Sequence, residues 1–256
     1  MDVFWAAPPI SRTLTALAFF EGLAVHGKLI PGFRFVFIPK LIFTFPPEPW
    51  RLITPFFIPD GGVHFFFDLY FLYTYASGLE RGAPRFALPG DFTVYLIFVC
   101  TVIMITAYWY MSAVVFTKAL IVALTHTWSQ VNHGRYVSFY VMQIKAEYLP
   151  VCLLLLDIVS GGWPAAVMSM IGIFASHLYD FFTRLWPLFG GGTNYLKTPT
   201  FVHRLYGTTV REQRSRGLVP PTSLSSQTSS GQSSARDEAA GSAWSMRGAG
   251  RRLGGN

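Results

Sequence analysis

The chain has 256 residues, of which 52% are hydrophobic, 17% aromatic and only 13% charged. An average soluble domain carries about 25% charged residues, so an ordinary water-soluble domain is excluded: too little charge exists to cover its surface. The net charge is +1 over residues 1–186 and +6 over 187–256, which describes an almost neutral apolar body followed by a short basic tail.

A spanning helix needs about 20 mostly apolar residues. The start, Met1 to Pro9, has no basic n-region, and the first apolar run lacks a small-residue cleavage site. That run, 13–29, is therefore expected to stay as a membrane helix. It holds Glu21 and His26. Residues 30–51 mix five prolines with Phe33, Phe35, Phe37, Phe43 and Phe45. The prolines prevent a continuous helix, and the rings favour the bilayer interface, so a folded loop in the headgroup region is expected.

The second span is 62–79, opened by the turn residues Pro59-Asp60-Gly61-Gly62. Between 92 and 131 only Lys118 is charged. That is twice the length one helix needs, and a break at Tyr110-Met111-Ser112 divides it into 92–109 and 113–131. The fifth span is read as 137–159 and the sixth as 164–186, after the Gly161-Gly162-Trp163-Pro164 turn. The expected fold is all-α, a six-transmembrane helical bundle over residues 1–206, with a disordered tail over 207–256. The tail is rich in Ser, Gly, Gln and Ala and cannot bury enough surface to offset its ordering entropy.

Six spans put both termini on one side. The tail carries 9 Lys/Arg and the loops on its side add Arg81, Arg85 and Arg135, while the 110–112 and 160–163 turns carry none; the 30–51 loop on the opposite side holds Arg34, Lys40 and Arg51, too few to outweigh the tail. Both ends are therefore expected to be cytosolic. Cys100 and Cys152 sit in apolar runs, which leaves no disulfide framework and no zinc pattern.

Glu21, Asp68, Lys118, Lys145, Glu147, Asp157 and Asp180 fall within or near the spans. At mid-bilayer such a charge costs about 2.5–3.5 kcal/mol on insertion scales. Each is either a satisfied interhelical partner or part of a hydrated cavity. Asp157 is expected near a helix end, close to water, whereas Glu21 falls near the middle of its span. Lys118, Lys145 and Glu147 are the candidates for lining a hydrated region.

Trp50-Arg51-Leu52-Ile53-Thr54 leaves the aromatic loop, and Phe71-Leu72-Tyr73-x-Tyr75 precedes Leu79-Glu80. Trp128-Ser129-Gln130-Val131-Asn132, Lys145-Ala146-x-Tyr148-Leu149-Pro150 and His177-Leu178-Tyr179 follow. Gly191-Gly192-x-Asn194-Tyr195-Leu196-x-Thr198-Pro199-x-Phe201 closes the series. In this order and spacing the chain resembles the Derlins, rhomboid-like pseudoproteases of endoplasmic-reticulum-associated degradation, over about residues 8–206 and the extreme C-terminus.

The resemblance implies a rhomboid-like membrane domain whose loop motif includes Trp50 and Arg51. It implies a helix-packing pair at Gly172 and Ser176, with Ser176 standing where the family has a second glycine. Small residues four apart let two backbones approach closely. It also implies a tail motif, Met246 to Gly254, resembling the peptide that recruits the valosin-containing AAA+ ATPase. Its positions are Met246, Gly248, Gly250, Arg252 and Leu253, with Met246 in place of the usual aromatic.

Rhomboid proteases carry a Gly-x-Ser-Gly nucleophile on the fourth span and a histidine base on the sixth. No Gly-x-Ser occurs in any span here, and His177 has no evident nucleophile to serve. No catalytic residue, cofactor or metal is expected. The resemblance implies a non-catalytic retrotranslocation factor in the endoplasmic reticulum membrane. Its implied partners are misfolded protein substrates, the ATPase, a membrane-embedded ubiquitin ligase complex and the lipid bilayer, with no nucleic acid. Short or polar second and fifth spans would thin the bilayer locally. The alternatives are an active intramembrane serine protease and a transporter; the second expects internal repeats, and none is visible between 10–110 and 111–206.

Overall fold

A computed structural model describes residues 8–189 except 84, 85, 87, 88, 140 and 141. The described part is mainly helical: α1 Pro9–His26, α2 Pro39–Phe43, α3 Val63–Gly82, α4 Pro89–Met111, α5 Thr117–Val131, α6 Leu149–Asp180 and α7 Trp186–Phe189. A π-helical turn, Phe181–Leu185, joins α6 to α7. The 207–256 tail, with Met246, Gly248, Gly250, Arg252 and Leu253, lies outside the described residues.

α6 is one run only by hydrogen-bond pattern. Gly162 inside it has φ 68° and ψ −160°, far from helical values. Asp157 and Ser169 nevertheless share a hydrogen bond. Twelve residues of straight helix would hold them about 18 Å apart, so the chain must fold back at Gly162. Gly161 and Gly162 supply the freedom for that reversal, and Pro164 suits the first turn of the returning helix. α6 is thus a hairpin of two arms, 149–161 and 163–180.

The fifth span begins later than the sequence reading has it. Residues 136–145 form an antiparallel β-hairpin, β1 Tyr136–Phe139 with β2 Met142–Lys145, in the register Tyr136↔Lys145 to Phe139↔Met142. Half-buried Val137, Phe139 and Ile144 alternate with exposed neighbours, a period of two that suits a strand and not a helix. Phe139 stacks on Phe71 of α3, with ring planes 9° apart. The first arm of α6 starts only at Leu149, after a 3-10 turn at Ala146–Tyr148.

α5 is the axis of the body. Leu120, Ala123, Leu124, Thr125, Thr127 and Ser129 are all buried. α3 lies parallel to α5: Asp68 and Lys118 line one small cavity near their N-terminal ends, and Tyr75 packs on Trp128 further along both helices, with centroids 5.4 Å apart. On another side α4 is tied to α5 by Tyr95, whose hydroxyl meets Thr127 Oγ1 at 2.8 Å. The second arm of α6 comes closest. A Cβ built at Gly172 would collide with the backbone carbonyl of Ala119.

By length and composition two stretches are apolar enough to cross a membrane, Gly90–Met111 and Ala146–Leu185. The second is the hairpin-shaped α6, so each of its arms is shorter than the stretch as a whole. The outward surface of the body is apolar. Ile97 and Ile105 on α4, Phe66 and Tyr70 on α3, and Val151, Leu155 and Val159 on α6 are all exposed.

Candidate functional site

The long loop between α1 and α3 is folded around Arg51, which is 1% exposed. Its Nη1 donates to the carbonyls of Phe33 at 2.7 Å and Val36 at 2.8 Å, and its Nε pairs with Glu48. Thr54 Oγ1 adds a bond to Phe35 O at 2.8 Å. A guanidinium is the one side chain with enough forked donors to satisfy several such acceptors together. The group is therefore engaged by the loop itself rather than turned outward to a lipid phosphate. Trp50 is its opposite, 48% exposed and presented outward with Phe33 and Ile53.

The same loop is clamped to the N-terminal end of α5. Phe116 N–H donates to Pro55 O at 2.8 Å, and Thr117 Oγ1 donates to Ile58 O at 2.7 Å. One residue on, Lys118 Nζ reaches Asp60 Oδ2 at 3.0 Å and Asp157 Oδ1 at 3.1 Å. Asp157 also accepts from Ser169, and Asp68 Oδ2 accepts from the Asp60 amide at 3.0 Å. Five segments of chain converge here on one cation. Asp157 lies four residues from the end of the first arm, as its position in the sequence suggests, yet it is only 6% exposed, because the reversal at Gly162 folds the second arm over it. A cavity of about 20 Å³ bordered by Asp68, Lys118 and Asp157 adjoins the cluster, room for one water.

Lys145 and Glu147 lie outside this cluster. Both belong to the hairpin and the turn after it, where Glu147 accepts from Gly134 N–H at 3.1 Å. Glu21 remains on α1, and its Oε1 is the one buried side-chain polar atom without a hydrogen-bond partner among the described residues.

A third polar group occupies the α5–α6 interface. Ser176 Oγ lies 2.8 Å from His126 Nδ1, and the rings of His126 and His177 are 4.2 Å apart between centroids. Sequence reasoning weighed His177 as the base and Ser176 as a packing residue; His126 was missed. A serine–histidine contact invites comparison with a nucleophile and its base. Ser176 Oγ also lies 2.8 Å from Ile173 O, in the preceding turn of its own helix. His126 Nε2 lies 3.5 Å from Gln130 Nε2, and His133 Nε2 lies 2.9 Å from Gln130 Oε1. Ser129, the one serine of α5, donates to His126 O at 2.7 Å.

Between α3 and the β-hairpin lies a cleft of about 400 Å³, lined by Phe66, Phe67, Tyr70, Phe71 and Ser138. Its walls are aromatic, and its size falls within the range of ligand-sized clefts. Nothing in the sequence pattern marked it, because Ser138 comes from a segment read there as helix.

A Der1-like family model matches residues 7–200, the whole described body. The chain is 33% identical to Derlin-1 of Homo sapiens over 211 residues, covering 79% of this chain and 81% of that protein. It is 31% identical to Derlin-1.2 of Zea mays over 208 residues, covering 80% and 83%. Against Derlin-1 of Arabidopsis thaliana the figure is 31% over 207 residues, covering 80% and 76%.

Proposed function

This chain belongs to the Der1-like family, the Derlins, and from that premise we propose that it is a retrotranslocation factor without hydrolytic activity. It acts in the endoplasmic reticulum membrane, as a six-span body with both termini cytosolic, and helps misfolded proteins reach the cytosol for degradation. The observation that carries the reading is the family match across the entire helical body. The lack of a Gly-x-Ser sequence in the apolar runs supports the non-catalytic half of it.

The mechanism follows from helix length. The first arm of α6, 149–161, has 13 residues and so spans about 20 Å, against a hydrocarbon core of about 30 Å. It turns Val151, Leu155 and Val159 outward. α4, with 23 residues, reaches about 35 Å. Lipid that must meet both is thinned beside the short arm, at fractions of a kcal/mol per ångström. α3, at 20 residues, matches the core thickness, so the mismatch rests on the fifth span and not on the second. The aromatic cleft between α3 and the hairpin receives an apolar segment of the passing chain. Trp50 and its exposed neighbours hold the loop at the interface.

Residues 244–256 recruit the AAA+ ATPase, which supplies direction, and a ubiquitin ligase complex joins in the membrane. Leu253 fills a pocket while Gly248 and Gly250 allow close backbone approach, in the manner of peptide recognition by edge pairing. The test is clearance of a misfolded lumenal reporter in cells lacking their own Derlins. The full chain shortens the reporter's half-life. Deleting 244–256 abolishes ATPase co-purification and this shortening, while membrane insertion stays intact. Retained ATPase binding removes the tail from the mechanism, and an unchanged half-life with the full chain overturns the export reading.

A further inference from the structure

Glu21 is the polar group of the spans that neither the packing nor the export mechanism uses. It forms no hydrogen bond or ion pair among the described residues, and its Oε1 is enclosed. It precedes His26, the last residue of α1, by five positions, which sets it about 8 Å from that end. Side chains of a helix tilt towards its N-terminus, so the carboxyl leans away from the nearer end and into the span. We propose that Glu21 is a recognition residue for client membrane segments that carry a lysine or arginine within their apolar span. The segment lies along the outer flank of α1. The inference rests on the export reading and names a substrate class for it.

The backbone that carries Glu21 is fixed, and the flank beside it is open. Ala18 and Gly22 are buried. A Cβ at Gly22 would strike the rings of Phe65 and Pro59, so α1 lies directly against α3 at that point. His26 Nε2 donates to Pro59 O at 2.8 Å and pins the end of the helix. Leu17, Phe20 and Leu23 are exposed. Glu21 follows Ala18 by three positions and Leu17 by four, which places it between the buried stripe and the outward one. It is itself half-buried. The carboxyl is thus held at the rim of an apolar surface that a second helix can cover.

Charge decides the occupant. Hydroxyls in the spans of this body satisfy themselves: Thr15 donates to Ser11 O, Thr101 to Ile97 O and Thr106 to Val102 O, each one turn back at 2.7–2.8 Å. A hydroxyl on a client helix has the same recourse and gains little from Glu21. A lysine or arginine only donates, and the carbonyls of its own helix are already taken. Alone in the bilayer the acid and the base each carry an insertion penalty, and pairing relieves both together. Lys118 with Asp157, at 3.1 Å, is the same pairing made inside the body. An unassembled membrane subunit brings such a base, because the acidic partner it was built to meet is missing. One carboxyl beside three apolar side chains specifies charge and depth and nothing else of a sequence. That suits a factor with many clients better than a fixed subunit.

The experiment is photocrosslinking in microsomes from cells lacking their own Derlins. The full chain carries a benzophenone side chain in place of Leu17. Three single-span reporters share a leucine-rich segment that holds lysine, leucine or glutamate at its middle. The lysine reporter should crosslink about threefold or more above the leucine reporter, the preference that one average interhelical polar contact gives. The glutamate reporter should not exceed the leucine reporter. Glu21→Gln should bring the lysine reporter down to the leucine level. The ranking of the three reporters on the parent chain needs no change at Glu21, so misfolding of Glu21→Gln cannot mask the answer. Equal crosslinking of the lysine and leucine reporters to the parent overturns the proposal. So does a lysine preference that survives Glu21→Gln, or a crosslink to one resident membrane protein that no reporter displaces. Export is read separately, on the half-life of the lumenal reporter, which has no spanning segment. If the full chain leaves that half-life unchanged while the lysine preference holds, the export reading fails and the recognition of basic segments stands.

Discussion

α4 and α5 run side by side, and they obey opposite rules. α4 is 23 residues long and apolar on every side, with Ile97, Ile105 and Trp109 exposed and Tyr95, Val99 and Ile103 buried. α5 is 15 residues long and wrapped by α3, α4 and both arms of α6, yet it carries Lys118, Thr125, His126, Thr127, Ser129 and Gln130. In water the helix at the centre of a body is the apolar one. Here the polar helix is central, because a lipid-facing polar group has no partner whereas a protein-facing one can be given several. Three of these side chains hold different neighbours, Lys118 the loop and the first arm, Thr127 α4 and His126 the second arm, while Thr125 and Ser129 donate to carbonyls of α5 itself.

The sharpest way to break the contrast is to remove one partner from each helix. Lys118→Ala strands Asp60 and Asp157, and breaking a buried pair costs about 3–5 kcal/mol. The partial exposure of Asp60 places the expected loss near the lower figure, about 3 kcal/mol. Thermal unfolding of purified protein in detergent should show it as a fall in midpoint. Gly172→Val is expected to cost about 1–3 kcal/mol, because the obstructing atom is the Ala119 backbone carbonyl, which cannot rotate away. The same melting assay reads it, and Gly172→Ala should show a smaller fall. Smallest of all is Ile105→Ala on the exposed face of α4, expected within about 0.5 kcal/mol, since lipid or detergent tails replace the lost contacts. Equal falls for Lys118→Ala and Ile105→Ala would mean that α5 is no more protein-enclosed than α4.

The contrast also explains what could be read from the chain. α4 announces itself by length and uniform hydropathy, and the reversal in α6 by Gly161-Gly162-Trp163-Pro164. The hairpin is hidden because the apolar content of 137–145 suits a helix as well as a strand; the alternation of Val137, Phe139 and Ile144 with outward residues is the signal that separates the two. The polar partnerships of α5 were beyond reach for a different reason. Lys118 meets Asp157 across 39 positions and His126 meets Ser176 across 50, and no local periodicity encodes a contact at such range. A lone lysine in one apolar run and a lone aspartate in another is the single hint the sequence offers. Arg51 stood out within its motif, yet its role as the internal clamp of the loop depends on the carbonyls of Phe33 and Val36, which any residue would have supplied.

Labelling of the purified full chain with a serine-directed fluorophosphonate, read by intact mass, tests most directly whether this body works without a nucleophile. With no Gly-x-Ser sequence in the apolar runs, no adduct should form, and the Ser176→Ala variant should be indistinguishable from the parent. A single stoichiometric adduct on Ser176, lost in that variant and in His126→Ala, would contradict the account.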